Sequence, residues 1–213
     1  MWREWGKDRR VSDVLPEAEG HLLLPTPESR TEVRSFAQRA YEDYNHGAPR
    51  LYHLNILIRF NVLNAISRNA ALVGFTAEGP CCPLDKHCPS LPWADPRSRP
   101  YPDWFHPTAL RISVRHHPWI DLVPFPRMRD SILRAVGDDL LDHKALGIDV
   151  LNVQDNGCNA ASLIIWDDAW DPRGWEASVP FLRKWAWLLQ GCPGLLEATN
   201  SWRQKMGERK IAS

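Results

Sequence analysis

The chain has 213 residues, 44% of them apolar and 24% charged, values that allow one domain with a real core and exclude wholesale disorder. Its 26 basic and 26 acidic residues cancel, and no run of Lys or Arg stands out. A duplex-DNA binder needs both a phosphate-attracting surface and a basic element to read a groove, so DNA binding is not expected.

Residues 1–27 read as a polar, extended lead-in, and residues 28–213 as the domain. Ser29-Arg-Thr-Glu32 has the form of a capping box, and Val33, Phe36, Ala37, Ala40 and Tyr44 then share one helical face. Gly47 and Pro49 close that helix. A second helix is expected over Leu51 to Val73, with Leu54, Leu57, Ile58, Val62, Ala65, Ile66 and Leu72 at helical spacing and Gly74 as its stop. Asn55, Arg59, Asn61, Asn64 and Asn69 interrupt its apolar face. They either meet water and neighbouring turns or present fixed donors to a pocket.

Eight prolines between Pro80 and Pro107 make residues 75–107 a long irregular loop. Leu110-Arg-Ile-Ser-Val114 alternates like a short strand. His116-His-Pro-Trp-Ile-Asp121 follows, then a helix from Arg127 to Val136 and a short acidic helix from Asp138 to Leu146. Ala161-Ser-Leu-Ile-Ile-Trp166 fits a strand or a buried helix equally well. Asp171-Pro172 has the form of an N-cap and first helical residue. Two helices close the domain, Val179 to Gln190 and Gly194 to Lys205, separated by Gly191-Cys-Pro193.

The eleven tryptophans suit either a core that uses indole as filler or an aromatic-lined pocket for an apolar or cationic ligand. The cysteines at 81, 82, 88, 158 and 192 are odd in number and follow no apolar leader. No stretch reaches the roughly 20 apolar residues of a membrane span. An intracellular setting is therefore expected, cytoplasmic with the nucleus as the alternative. Cys81-Cys82 with Cys88 and His87 invites a zinc reading, but adjacent cysteines rarely serve one tetrahedral ion, and a free-thiol loop is the expectation.

Five segments carry a family resemblance. They are Phe60-Asn-Val-Leu-Asn64; His117-Pro-Trp-Ile-Asp-Leu-Val-Pro-Phe-Pro-Arg-Met-Arg-Asp130; Trp166-Asp-Asp-Ala-Trp-Asp-Pro172 with Trp175-Glu176; Phe181-Leu-Arg-Lys-Trp185; and Thr199-Asn-Ser-Trp-Arg203 with Gly207-Glu208. Over residues 51–208 the chain resembles the domain of unknown function that fungal bZIP-type transcription factors carry behind their DNA-binding segment. The resemblance implies a regulatory role of unestablished kind. Residues 1–50 hold neither a basic region nor heptads, so the block is expected to stand alone here. The family's Trp-Gly-Asp-Pro-Trp-Asp-Pro phrase also has Asp167 in place of Gly and Ala169 in place of Pro.

Four arrangements could carry chemistry. Asp138-Asp139-x-x-Asp142 and Asp167-Asp168-x-x-Asp171 have the spacing with which prenyl-diphosphate enzymes hold Mg²⁺, and Asn200, Gln204 and Glu208 follow at the spacing of a second metal motif. Pro172 turns Asp171 out of a continuous helix, so the aspartates also read as caps. His116 and His117, with Asp121, Arg127, Arg129 and Asp130, form the densest titratable cluster and could supply a general acid and base.

The fold expected is thus mainly α, a single compact helical domain with a long proline-rich loop. Its expected function is that of a stand-alone cyclase, isomerase or lyase of fungal secondary metabolism. It would act without a cofactor on a small apolar metabolite in an aromatic-lined pocket, by acid/base catalysis. His117, Asp121, Arg129, Asp130 and Asp168 are the catalytic candidates. Asn61, Asn64, Trp119, Trp166, Trp170, Trp185, Trp202 and Arg203 are the substrate-binding ones. One alternative is a Mg²⁺-dependent terpene or prenyl-diphosphate cyclase using Asp167, Asp168 and Asp171. The other is a regulatory or dimerisation module, and a homodimer is compatible with each. The segment His116–Asp130 should line the main cavity, with Trp166–Trp175 opposite.

Overall fold

The computed structural model describes residues 51–74, 101–151 and 162–212, with scattered positions between 31 and 46; the side chains of residues 51–57, 59, 60 and 151 are outside that description. The lead-in, most of the proline-rich loop and the cysteines at 81, 82, 88 and 158 lie outside the described residues. So do Ser29 and Glu32 of the expected capping box, although the described positions from Thr31 to Asn45 are helical. The architecture is mainly α. Among the described residues no helix is long and apolar enough to cross a membrane.

Helix α1 (Leu51–Leu72) is the central element. Val62, Ala65, Ile66, Ala70 and Val73 are buried, and so are Asn64, Ser67 and Asn69, so the helix is enclosed on more than one face. A short antiparallel ribbon packs beside it: β1 (Leu163–Ile165) pairs with β2 (Trp175–Ala177), with Ile164 opposite Glu176. Helix α1 lies against β1, and the last helix, α6 (Pro193–Lys205), lies against β2. The asparagines of α1 tie these layers together. Asn61 donates to the carbonyl of Ile165, and Asn69 to the carbonyls of Leu122 and Ala169 at 2.9 and 3.0 Å. Polar residues on a buried helix cost less when they satisfy loop carbonyls that would otherwise be orphaned.

Two expected elements are corrected. Leu110–Val114 is not a strand: α2 runs from Ala109 to Ser113. Thr108 caps it by accepting from the N–H of Arg111, and the helical turn buries the Arg111 side chain while leaving Ile112 71% exposed. Strand alternation would have put Ile112 inside, but the ion pair made by Arg111 decides otherwise. The acidic helix does not start at Asp138 either. Helix α3 (Pro126–Gly137) ends there. The N–H groups of Asp139 and Leu140 bond back to Val136 and Ala135, and Asp139 takes the left-handed φ of 55° usual for glycine. Asp142 then caps α4 (His143–Leu151) through the N–H groups of Lys144 and Ala145. The first aspartate cluster is therefore divided between the end of one helix and the start of the next.

The remaining elements follow their capping residues. Asp171 caps a 3-10 turn, Pro172–Gly174, by accepting from the N–H of Arg173. Ser178 caps α5 (Val179–Trp185), which tightens into a 3-10 turn over Ala186–Leu189 rather than running as an α-helix to Gln190. Gly191 turns the chain at φ 72° into α6. Beyond α6 the tail folds back: the Asn200 side chain accepts from the N–H of Ile211 and donates to its carbonyl, at 2.7 and 3.0 Å.

Candidate functional site

Two arrangements merit comparison, a buried cluster of charges and an apolar cleft. The cluster gathers much of what the sequence marks as chemical. His117 caps the 3-10 turn Pro118–Leu122, its Nδ1 accepting from the N–H of Trp119 at 3.3 Å, and this turn carries Asp121 inward. Asp121 is 1% exposed. One of its oxygens accepts from Arg111 Nε at 3.0 Å, and the other lies 3.2 Å from Nε2 of His116. The second approach is a close contact rather than an aligned hydrogen bond, since Nε2 makes none of good geometry. On the far side of the ring, Nδ1 is 2.6 Å from the carbonyl of Val114.

Arg129, also buried, donates to the carbonyls of Trp104, Asp121, Val123 and His106. Burial lowers its pKa to about 10, against the opposing pull of Asp121 and Asp130, which still leaves it protonated at neutral pH. Asp130 accepts from the hydroxyl of Thr108 at 2.7 Å. Each charged group thus meets another group of the chain.

The tryptophans divide in a similar way. Trp166 donates to Glu176 at 2.7 Å and stacks on Trp202 at 5.3 Å. Trp175 donates to Ala169, Trp185 to Asp149 and Trp202 to Arg173. Trp104 stacks on the half-exposed Trp170 and donates to its carbonyl. Trp119 is 1% exposed, and among the described residues its indole N–H has no acceptor. Asn64 is buried in α1. Arg203 holds the tail, pairing with Glu208 at 2.8 Å and donating to the Arg209 carbonyl.

Asp167 and Asp168 are exposed. Asp171, whose carboxyl is held below its ordinary value chiefly by hydrogen bonding to Arg173, meets that guanidinium at 2.6 Å. Among the described residues no group of three or more His, Cys, Asp or Glu side chains converges as a metal ion requires.

The cleft lies elsewhere. A half-open cavity of about 1030 Å³ is bounded by α5, the turn after it, the start of α6 and the returning tail. Val179, Leu182, Ala186, Leu189, Leu196 and Ile211 form its apolar wall, with Arg127, Arg183 and Gln190 the polar side chains. Among the described residues no aromatic side chain and no acidic one lines it. Of the segment His116–Asp130 only Arg127 contributes, and of Trp166–Trp175 nothing does, so this cavity is not the one expected between those two segments.

Arg127 was singled out from the sequence, but within the titratable cluster rather than at a cleft, and Arg183 and this aliphatic wall were not. Their signal was present: Val179, Leu182, Ala186 and Leu189 make a stripe at helical spacing, immediately before the Gly191-Cys-Pro193 break. Glu176 was also passed over as a titratable group. It is 7% exposed, and burial raises its pKa.

Residues 92–197 match the model of a family described as a domain of unknown function (DUF3425). The chain therefore carries a member of that domain family, over a stretch shorter at both ends than the block read from the sequence. It includes the 117–130 phrase, both strands, α5 and every residue of the cleft except those of the tail. No curated protein and no solved structure matches the chain.

Proposed function

We propose that this domain is a binding module for a small apolar metabolite, held in the cleft between α5 and α6, and that occupancy of the cleft rather than conversion of the ligand is its output. The observation that carries this reading is the cleft itself. Its volume of about 1030 Å³ falls at the upper end of small-molecule sites, its wall is aliphatic, and few polar groups converge on it. The acid/base conversion expected from the sequence has less support. His116, Asp121 and Arg129 are buried and turn their polar atoms to one another and to backbone carbonyls. A regulatory role for the module accords with the resemblance noted above.

The neutral, apolar dye N-phenyl-1-naphthylamine tests the reading, because it brightens when it leaves water. Purified protein should bind about one dye molecule per chain. Ala186→Trp, at an exposed position on the cleft wall, should abolish that binding by filling the space without altering the thermal midpoint. Protein that leaves the dye dark, or an Ala186→Trp variant that binds it as before, would remove the cleft from consideration.

A further inference from the structure

Two kinds of side chain line the cleft. Leu182, Leu189, Leu196 and Ile211 are aliphatic, and Arg127 and Arg183, both exposed, are cationic. Elsewhere, Arg111, Arg173 and Arg203 each pair with a carboxylate at 3.0 Å or less. Among the described residues neither Arg127 nor Arg183 has such a partner. Arg127 makes one hydrogen bond, from Nη1 to the carbonyl of Gly191 at 3.2 Å, which ties it to the cleft and leaves most of its donors unused.

Among the described residues no Asp or Glu lines the cleft to offset this charge. Helix α6 starts at its wall with no capping side chain and no acidic residue in its first turn, so its positive end adds to the two guanidiniums. An apolar trough that also carries two guanidiniums with no carboxylate partner among the described residues complements a molecule with a hydrocarbon body and an anionic head, because Arg binds carboxylate through parallel N–H donors.

We infer that the ligand class of this cleft is an amphipathic carboxylate in its free, monomeric form, its chain on the aliphatic wall and its carboxylate on Arg127 and Arg183. This rests on the binding reading above and narrows it from apolar molecules in general to anionic ones.

The test is competition against bound N-phenyl-1-naphthylamine by dodecanoate and by 1-dodecanol, which share a chain and differ in the head, each below its aggregation limit. Dodecanoate should displace the dye at roughly 10- to 100-fold lower concentration, the scale of a hydrogen bond to a charged group. The advantage should shrink as salt rises. Arg127→Gln with Arg183→Gln should bring dodecanoate to the level of dodecanol, each competitor being read against the dye affinity of the variant itself, while the thermal midpoint stays put. The corresponding double Lys variant should keep part of the preference. Acetate should not compete, since a head without a chain gains nothing from the wall.

Equal displacement by the acid and the alcohol, unchanged in the Gln variant, would overturn the inference while leaving the apolar cleft standing. Failure of the dye to bind at all would instead remove the parent reading. Binding to phosphatidylserine vesicles with indifference to monomeric dodecanoate would assign the arginines to a membrane surface and overturn the inference as well.

Discussion

Arg127 and Arg129 stand in the same turn of α3 and belong to different parts of the molecule. Residues two apart on a helix face nearly opposite directions, so one guanidinium reaches the cleft and the other enters the core. Arg129 has carbonyl partners from Trp104, His106, Asp121 and Val123, and lies beside Asp121 in a cluster where each charge has a counterpart. Arg127 has the Gly191 carbonyl and open solvent. The first arginine has its partners inside the fold, and most donors of the second are unused. A dense group of titratable residues in a sequence marks a place where charge matters, but only the partners of each group separate a structural knot from a binding end.

The sharpest way to break this contrast is to unbalance the knot. Asp121→Asn leaves Arg111 and Arg129 buried without their carboxylate, and removing one member of a buried ion group costs about 3–5 kcal/mol. Urea unfolding of the purified chain should show that loss, while Arg127→Gln should stay within about 0.5 kcal/mol of the parent. An Asp121→Asn protein of full stability that had lost dye binding would reverse the assignment and return the cluster to the functional site.

A smaller effect should join the tail to the cleft. The Asn200 side chain makes two hydrogen bonds to the backbone of Ile211, and Ile211 lines the cleft and packs on the core. Asn200→Ala removes both, at a net cost of about 1–2 kcal/mol. Limited proteolysis should then cut beyond Met206 sooner than in the parent, and dye binding should weaken several-fold at unchanged stoichiometry. If the tail loosens and the dye binds as tightly as before, the tail is no wall of the site.

The legibility of the chain followed the same division. Helix ends written in capping chemistry were readable: Gly74, Asp171-Pro172 and the Gly191-Cys-Pro193 break stand where the residues put them. Segments 110–114 and 138–142 were misread because the deciding partner is remote or conformational. Arg111 is drawn in by Asp121, ten residues on, and Asp139 takes a left-handed turn that glycine normally signals. Of the titratable cluster marked in the sequence, His116, Asp121 and Arg129 do lie together, while the direction in which their polar atoms turn was not readable. The cleft joins α3, α5, α6 and the tail, and periodicity reveals that a face is apolar without saying whether another element covers it.

Glu176 lies between the two arginines in character, buried like Arg129 yet with fewer partners, and it gives the smallest and most specific test. Its carboxyl is raised above the ordinary 4.5 mainly by burial, with the Trp166 N–H opposing, Glu208 adding to the rise and Arg203 reducing it. A carboxyl whose native value exceeds its unfolded one holds its proton more tightly when folded. That contribution to stability is complete below the unfolded value and disappears as pH climbs through the native one. Gln at this position keeps an oxygen for the Trp166 N–H, which donates at 2.7 Å, and has no charge to desolvate. Glu176→Gln should therefore raise the thermal midpoint at pH 7, by less than about 3 °C in a chain of this size. The gap between variant and parent should close as pH is taken below the ordinary carboxylate value, and that convergence, more than the rise itself, identifies the titrating group. A parent more stable than the variant at pH 7 would mean that the ionised carboxylate is the form the fold prefers, held by Trp166 and Arg203, and Glu176 would join Arg129 among the paired charges of the core.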